Sequence, residues 1–180
     1  MKIGLIRHFK VKRGYPDKWV TSKELMNWAV EYDESDVIEK KIDLGNIQWK
    51  HCFSSDLARA QRTAENTFSG NIVFLEELRE IRISPIFSMN RKLPLFIHML
   101  LIRAAWFFNH KSQPDGKKQV TERLNQALDK MMGLQEDVLI ISHGGIMMFL
   151  SRELKKRGFT GPALNRPQNA RLYLYEKNML

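Results

Sequence analysis

The sequence predicts an α/β fold of three layers, with helices on both faces of a mainly parallel central sheet. Two observations predict it. Apolar runs of strand length alternate along the chain with stretches of helical period, the pattern of crossover-connected parallel strands. Several of those runs also stop abruptly at His, Ser or Asp, residues suited to helix starts and sheet edges rather than to continued strand. With 180 residues, 43% apolar and 27% charged, the chain can bury a substantial core.

The elements follow in order. KIGLIR, residues 2–7, is a short apolar run with the look of a buried strand ending at His8. Residues 9–20 are basic, contain Gly14 and Pro16, and read as a loop. Thr21 with Glu24 forms a capping-box pattern that opens a helix to about Tyr32. IQWKHCF, 47–53, is a second strand, with Ser54, Ser55 and Asp56 as cap-type residues before a helix from Leu57 to Phe68. Asn71–Leu75 is a third strand. Pro85 and Pro94 bracket a less regular basic segment, and Leu95–Asn109 reads as an unusually apolar helix. After the turn Pro114-Asp115-Gly116, residues 118–134 form an amphipathic helix in which Val120, Leu124, Leu128 and Met131 share one face. Val138–Ile141 is a strongly apolar strand ending at Ser142-His143-Gly144-Gly145. A helix runs on through Lys156, and Arg171–Tyr175 is the last strand.

The formal charge of +9, from 29 Lys and Arg against 20 Asp and Glu, suits anionic partners without choosing among them. No nucleic-acid motif accompanies it, so no specific nucleic-acid partner is expected. Cys52 is the only cysteine, which excludes an internal disulfide and predicts a reduced, cytoplasmic protein. The N-terminal apolar run is interrupted by Arg7, unlike a secretory signal. The segment Leu93–Phe108 carries His98 and Arg103 and falls short of the roughly 20 apolar residues of a transmembrane span.

In parallel sheets ligands gather beyond the carboxyl ends of strands. His8, Ser54-Ser55 and His143-Gly144 each lie there. A neutral imidazole at His8 is a competent nucleophile toward phosphorus, and the guanidinium of Arg7 can bind two phosphate oxygens. The helix start after Ser54-Ser55 would aim free N–H groups at an anion, with Arg59 adding its charge. Arg62 fits a solvated position. Gly144 and Gly145 would let backbone and ligand approach closely beside His143.

LIRH, SSDLARAQRTAE and ISHGG resemble, in order and spacing, the three signatures of the histidine phosphatase superfamily, which includes the phosphoglycerate mutases. NARLYLY resembles that family's closing strand. The resemblance implies that His8 attacks phosphorus and becomes a phosphohistidine, and that Arg7, Arg59, His143 and Gly144 hold the phosphoryl group. Glu80, in LREI, would be the proton donor and acceptor, with Glu76 and Glu77 as neighbouring alternatives. It also implies one domain over residues 1–180, with 82–117 as a helical lid insertion. No metal or other cofactor is implied.

The chain departs from the family pattern in two places. Phe9 replaces the usual Gly after the histidine, Val11 replaces a Thr, and Gly14 falls where an Asn is common. Lys10, Lys12 and Arg13 in the same loop read either as phosphate contacts or as a solvated basic loop. RISPIFSMNRK, after Glu80, stands in place of a Gly-x-Trp-Glu-Gly stretch. The apolar helix 95–109, with Phe96, Leu100, Trp106, Phe107 and Phe108, suits core packing or a homodimer face; a lid or a membrane-surface helix are the other readings. The expected activity is hydrolysis of a small phosphorylated substrate. The alternatives are mutase-type phosphoryl transfer and a catalytically impaired phosphate- or partner-binding protein.

Overall fold

A computed structural model describes residues 1–86 and 91–178. Phe87–Asn90, part of the RISPIFSMNRK stretch, lie outside the described residues. The core is a five-stranded sheet of β1 (Lys2–Arg7), β5 (His51–Ser55), β6 (Ile72–Leu75), β8 (Val138–Ser142) and β9 (Leu172–Glu176). Its order is β6-β5-β8-β1-β9, in which only β9 runs antiparallel.

Strand side chains alternate between faces, and the two faces are covered by different helices. Val138 and Ile140 join Ile3, Leu5 and Phe53 on one face. There they pack against Val120, Leu124, Leu128 and Met131 of α4 (Lys117–Met132) and Ile146, Met147, Leu150 and Leu154 of α5 (Gly144–Lys156). Leu139 and Ile141, with Ile6 and Cys52, face Ala60 and Ala64 of α2 (Ala58–Thr67) and the ring of Trp49. The three layers and mainly parallel sheet are those expected. Gly4 belongs to the second face, where a Cβ would lie 2.7 Å from the Trp49 ring. Each fully buried Leu or Ile here contributes about 1.5–3 kcal/mol over an exposed one.

Two expectations shift. The second strand covers His51–Ser55 rather than 47–53, because β5 is flanked by β6 and β8 and its pairing continues through Ser54 and Ser55. The Ser54 hydroxyl donates to the Ser55 carbonyl at 2.9 Å, so it stays buried without capping a helix. The N-cap of α2 is Leu57, which makes no side-chain cap bond. The segment 9–20 is not wholly loop. Its short strand β2 (Lys10–Val11) pairs with β4 (Val37–Ile38), and β3 (Trp19–Val20) pairs with β7 (Leu93–Pro94).

The first helix, α1 (Ser22–Glu34), opens with the expected capping box between Thr21 and Glu24. It packs Leu25 against Ile102 of α3 (Leu95–Phe107). Most of α3 therefore rests on α1 and β3 rather than on the central sheet, apart from Trp106, whose ring meets Phe149 of α5 edge-on at 5.6 Å. Among the described residues no helix is long and apolar enough to cross a membrane.

Candidate active site

The carboxyl ends of β1, β5 and β8 lie side by side, so register alone gathers the residues beyond them. The backbone N–H of His8 donates to the Ser142 carbonyl at 3.0 Å, extending the β1–β8 ladder by one residue. The imidazole is buried, with Nδ1 2.6 Å from the Phe9 carbonyl oxygen. A carbonyl only accepts, so Nδ1 carries the proton and the lone pair sits on Nε2. Burial, then the charge of Arg59, and with a smaller part from Arg7, lower the His8 pKa from 6.5 to about 3, against the opposing pull of the Phe9 carbonyl. His8 is neutral at pH 7.

His143 occupies the N-cap position of α5, fully buried, its ring centroid 5.0 Å from that of His8. Nε2 lies 2.8 Å from the Ser55 hydroxyl, whose oxygen also accepts the Leu57 N–H at 3.3 Å. Burial, followed by the neighbouring His8, Arg59 and Arg7, holds its pKa well below 6.5. A Ser55 hydroxyl that donates to Nε2 would put the proton of the neutral ring on Nδ1, which is buried and has no partner among the described residues.

Two guanidinium groups complete the cluster. Arg59 is buried on the first turn of α2; its Nη1 donates to Asp33 Oδ1 at 2.6 Å and its Cζ lies 5.4 Å from the Tyr32 ring centroid. Arg7 donates from Nη1 to the Pro167 carbonyl at 3.0 Å. The Nε of each arginine is buried without a partner among the described residues. Four buried side-chain nitrogens have no partner among the described residues; one is Trp106 Nε1 on α3, and the other three, on Arg7, Arg59 and His143, are costly unless an acceptor joins them. All three sit in residues clustered on one sheet edge, a donor set that fits an anion.

Glu80 follows β6 and a single 3₁₀ turn, Glu76–Leu78. The Ser142 hydroxyl fixes that turn by donating to the Leu78 carbonyl at 2.8 Å, and Arg123 donates to the Glu77 carbonyl at 2.6 Å. The Glu80 carboxylate accepts the Gly145 N–H at 3.1 Å, one of the free donors at the start of α5. Glu76 instead pairs with Arg79 at 3.1 Å. The two glycines have a more specific role than general ligand access. A Cβ on Gly144 would lie 3.3 Å from the Arg7 guanidinium, and one on Gly145 would lie 2.6 Å from Glu80 Oε1.

The altered loop after His8 folds inward. Phe9 and Val11 are buried with Val37, and the Phe9 N–H donates to the Thr63 hydroxyl at 2.8 Å. Lys12 and Arg13 pair with Asp36 and Glu31 at the surface. Asp56 pairs with Arg79, and Arg62 with Glu39. Sequence reasoning missed Asp33, Thr63, Arg123 and Asn169, the last of which donates to the His8 carbonyl at 2.7 Å. Their roles arise between distant segments; Thr63, within SSDLARAQRTAE, and Asn169, within NARLYLY, lay in stretches already singled out, whereas Asp33 and Arg123 did not.

The histidine phosphatase superfamily (branch 1) model matches residues 41–178. The chain belongs to this superfamily. The match spans Arg59, Glu80 and His143 but begins after Arg7-His8, so the position of that pair rests on the sheet. No protein of curated function matches the sequence. Among solved structures, the α-ribazole phosphatase from Shigella flexneri superposes with a TM-score of 0.61 at 20% identity, covering 99% of this chain and 91% of that one. YhfR from Bacillus stearothermophilus gives 0.63 at 19% over 98% and 91%. A phosphoglycerate mutase from Bacillus anthracis gives 0.61 at 16% over 99% and 92%. At these identities the likeness is one of fold, a histidine-phosphatase fold shared with both phosphatases and mutases.

Proposed function

We propose that the chain is a phosphomonoesterase that works through a phosphohistidine on His8. The observation that carries this reading is a buried, neutral His8 with its Nε2 lone pair free, beside Arg7, Arg59 and His143. Nε2 forms a bond to phosphorus as the ester P–O bond breaks. The electron pair passes to the ester oxygen, which takes a proton from the Glu80 carboxyl. The Phe9 carbonyl steadies the positive charge that develops on the ring. Arg7, Arg59 and the His143 Nδ1–H hold the phosphoryl oxygens and stabilise the transition state. Water then attacks phosphorus, Glu80 takes its proton, and the P–N electron pair returns to His8.

The reading extends to the rest of the chain. Residues 1–180 act as one catalytic domain, a reading supported by the pairing of β1 with β9, and 82–117 is its lid insertion. A cytoplasmic setting fits the buried free thiol of Cys52. The second reading, a phosphate-binding protein with little turnover, is favoured by one observation: Phe9, Val11, Lys12 and Arg13 are engaged in packing or surface pairs instead of the pocket.

Phosphate release from a panel of phosphomonoesters separates the two. The native protein should turn over, and His8→Ala should lose about 10³-fold or more. A native protein that binds phosphate but releases none from any ester establishes the binding reading; phosphoryl transfer to a second hydroxyl, in preference to water, establishes a mutase.

A further inference from the structure

We propose that the outer face of α3 is a docking surface for an anionic lipid bilayer, lying flat on it without crossing it. The inner face of this helix, His98, Ile102 and Ala105, is buried. Its outer face exposes large apolar side chains around one cation: Phe96 is 67% exposed, Leu100 61% and Phe107 59%, at spacings of four and seven on one side with Arg103 between Leu100 and Phe107, and Phe108 at the C-cap is 77% exposed. Large apolar side chains on both sides of a helix call for an apolar environment on both, and here only the inner side has one. Trp19 extends the patch. It is 58% exposed and pairs through β3 with Pro94, immediately before α3.

Charge chooses the occupant. Residues 82–121 hold seven Lys and Arg and a single acidic residue, Asp115, which is paired with Arg82. Arg91, Arg103, Lys111 and Lys117 pair with no carboxylate among the described residues, and the Lys117 ammonium lies 5.3 Å from the Phe107 ring centroid. Lys92 and Lys118 make only long, exposed contacts, at 3.6 Å to Glu24 and 3.8 Å to Glu122. A second copy would bring this basic rim against itself. An anionic membrane accepts both features, with aromatic side chains at the acyl boundary and cations at the headgroups. At 13 residues, a helix about 20 Å long suits a surface position.

Sedimentation with vesicles tests the proposal. The native protein should bind phosphatidylcholine vesicles containing phosphatidylglycerol at least about tenfold more strongly than pure phosphatidylcholine, and salt should weaken the binding. The double variant Leu100→Glu/Phe107→Glu, with unchanged circular dichroism, should lose about tenfold or more. Arg103→Gln/Lys117→Gln, which removes the positive charge while keeping every exposed apolar side chain, should lose a comparable amount. Equal binding to both vesicles, no binding to either, or undiminished binding by the charge variant would overturn it. So would a native dimer that the apolar variant splits, which assigns the face to a second copy.

Discussion

The two ends of the candidate site are built on opposite terms. At the phosphate end His8, Arg59 and His143 are all buried, fixed by strand ends and a helix start, with nitrogens left for an anion. At the other end Glu80 borders an open cleft of about 540 Å³, lined also by Glu76, Glu77, Arg79, Arg82, Asp115 and Arg123. There the charges largely satisfy one another: Arg79 with Asp56 and Glu76, Arg82 with Asp115, Arg123 with backbone carbonyls. On the proposed reading, the contrast means that the sheet would fix the anion's position, whereas the group attached to it would meet a polar, charged surface. A polar leaving group suits such a cleft better than an apolar one.

Glu80 joins the two ends, and replacing it separates them most sharply. Glu80→Gln should slow hydrolysis of alkyl phosphates by about 10²–10⁴-fold and that of an activated aryl phosphate far less. Steady-state kcat on both esters checks this, and equal slowing would remove Glu80 as proton donor. A smaller effect tests how Glu80 is placed. Gly145→Ala puts a methyl group against its carboxylate, so kcat on alkyl esters should fall about tenfold with KM little changed. Gly145→Ala with native kcat would show that this contact does not position the carboxylate.

The buried end also has a stability signature. His8 titrates at about 3 rather than 6.5, and His143 is likewise depressed. Between these values the unfolded chain binds more protons than the folded one, so stability must fall as pH drops below 6.5. Each histidine contributes a slope of about 1.4 kcal/mol per pH unit within its window. Urea unfolding at pH 7, 6 and 5 measures it. His143→Asn should reduce the slope by about half, and a slope unchanged by that substitution would contradict neutral burial of this ring.

Much of the phosphate end was legible in the sequence because it is local. An apolar run ending in His8, another ending in His143, and two glycines after it each announce a strand-to-turn transition. The Thr21–Glu24 capping box is equally local, and it forms. What failed to show depends on partners far away in the chain. Ser54 and Ser55 look like helix caps until β6 and β8 pair on either side of them. Asp33 reaches Arg59 across 26 residues and Asn169 reaches His8 across 161, separations that no periodicity reports. Phe9 reads as a loop residue until Val11, Val37 and Ala170 enclose it.

The most direct test of the account is to trap the intermediate. Native protein mixed with a ³²P-labelled phosphomonoester and quenched within one turnover should carry an acid-labile, alkali-stable label on the peptide containing His8, absent from His8→Ala. Phosphate released by the native protein with no such label, or a label on any other residue, would contradict nucleophilic attack by His8.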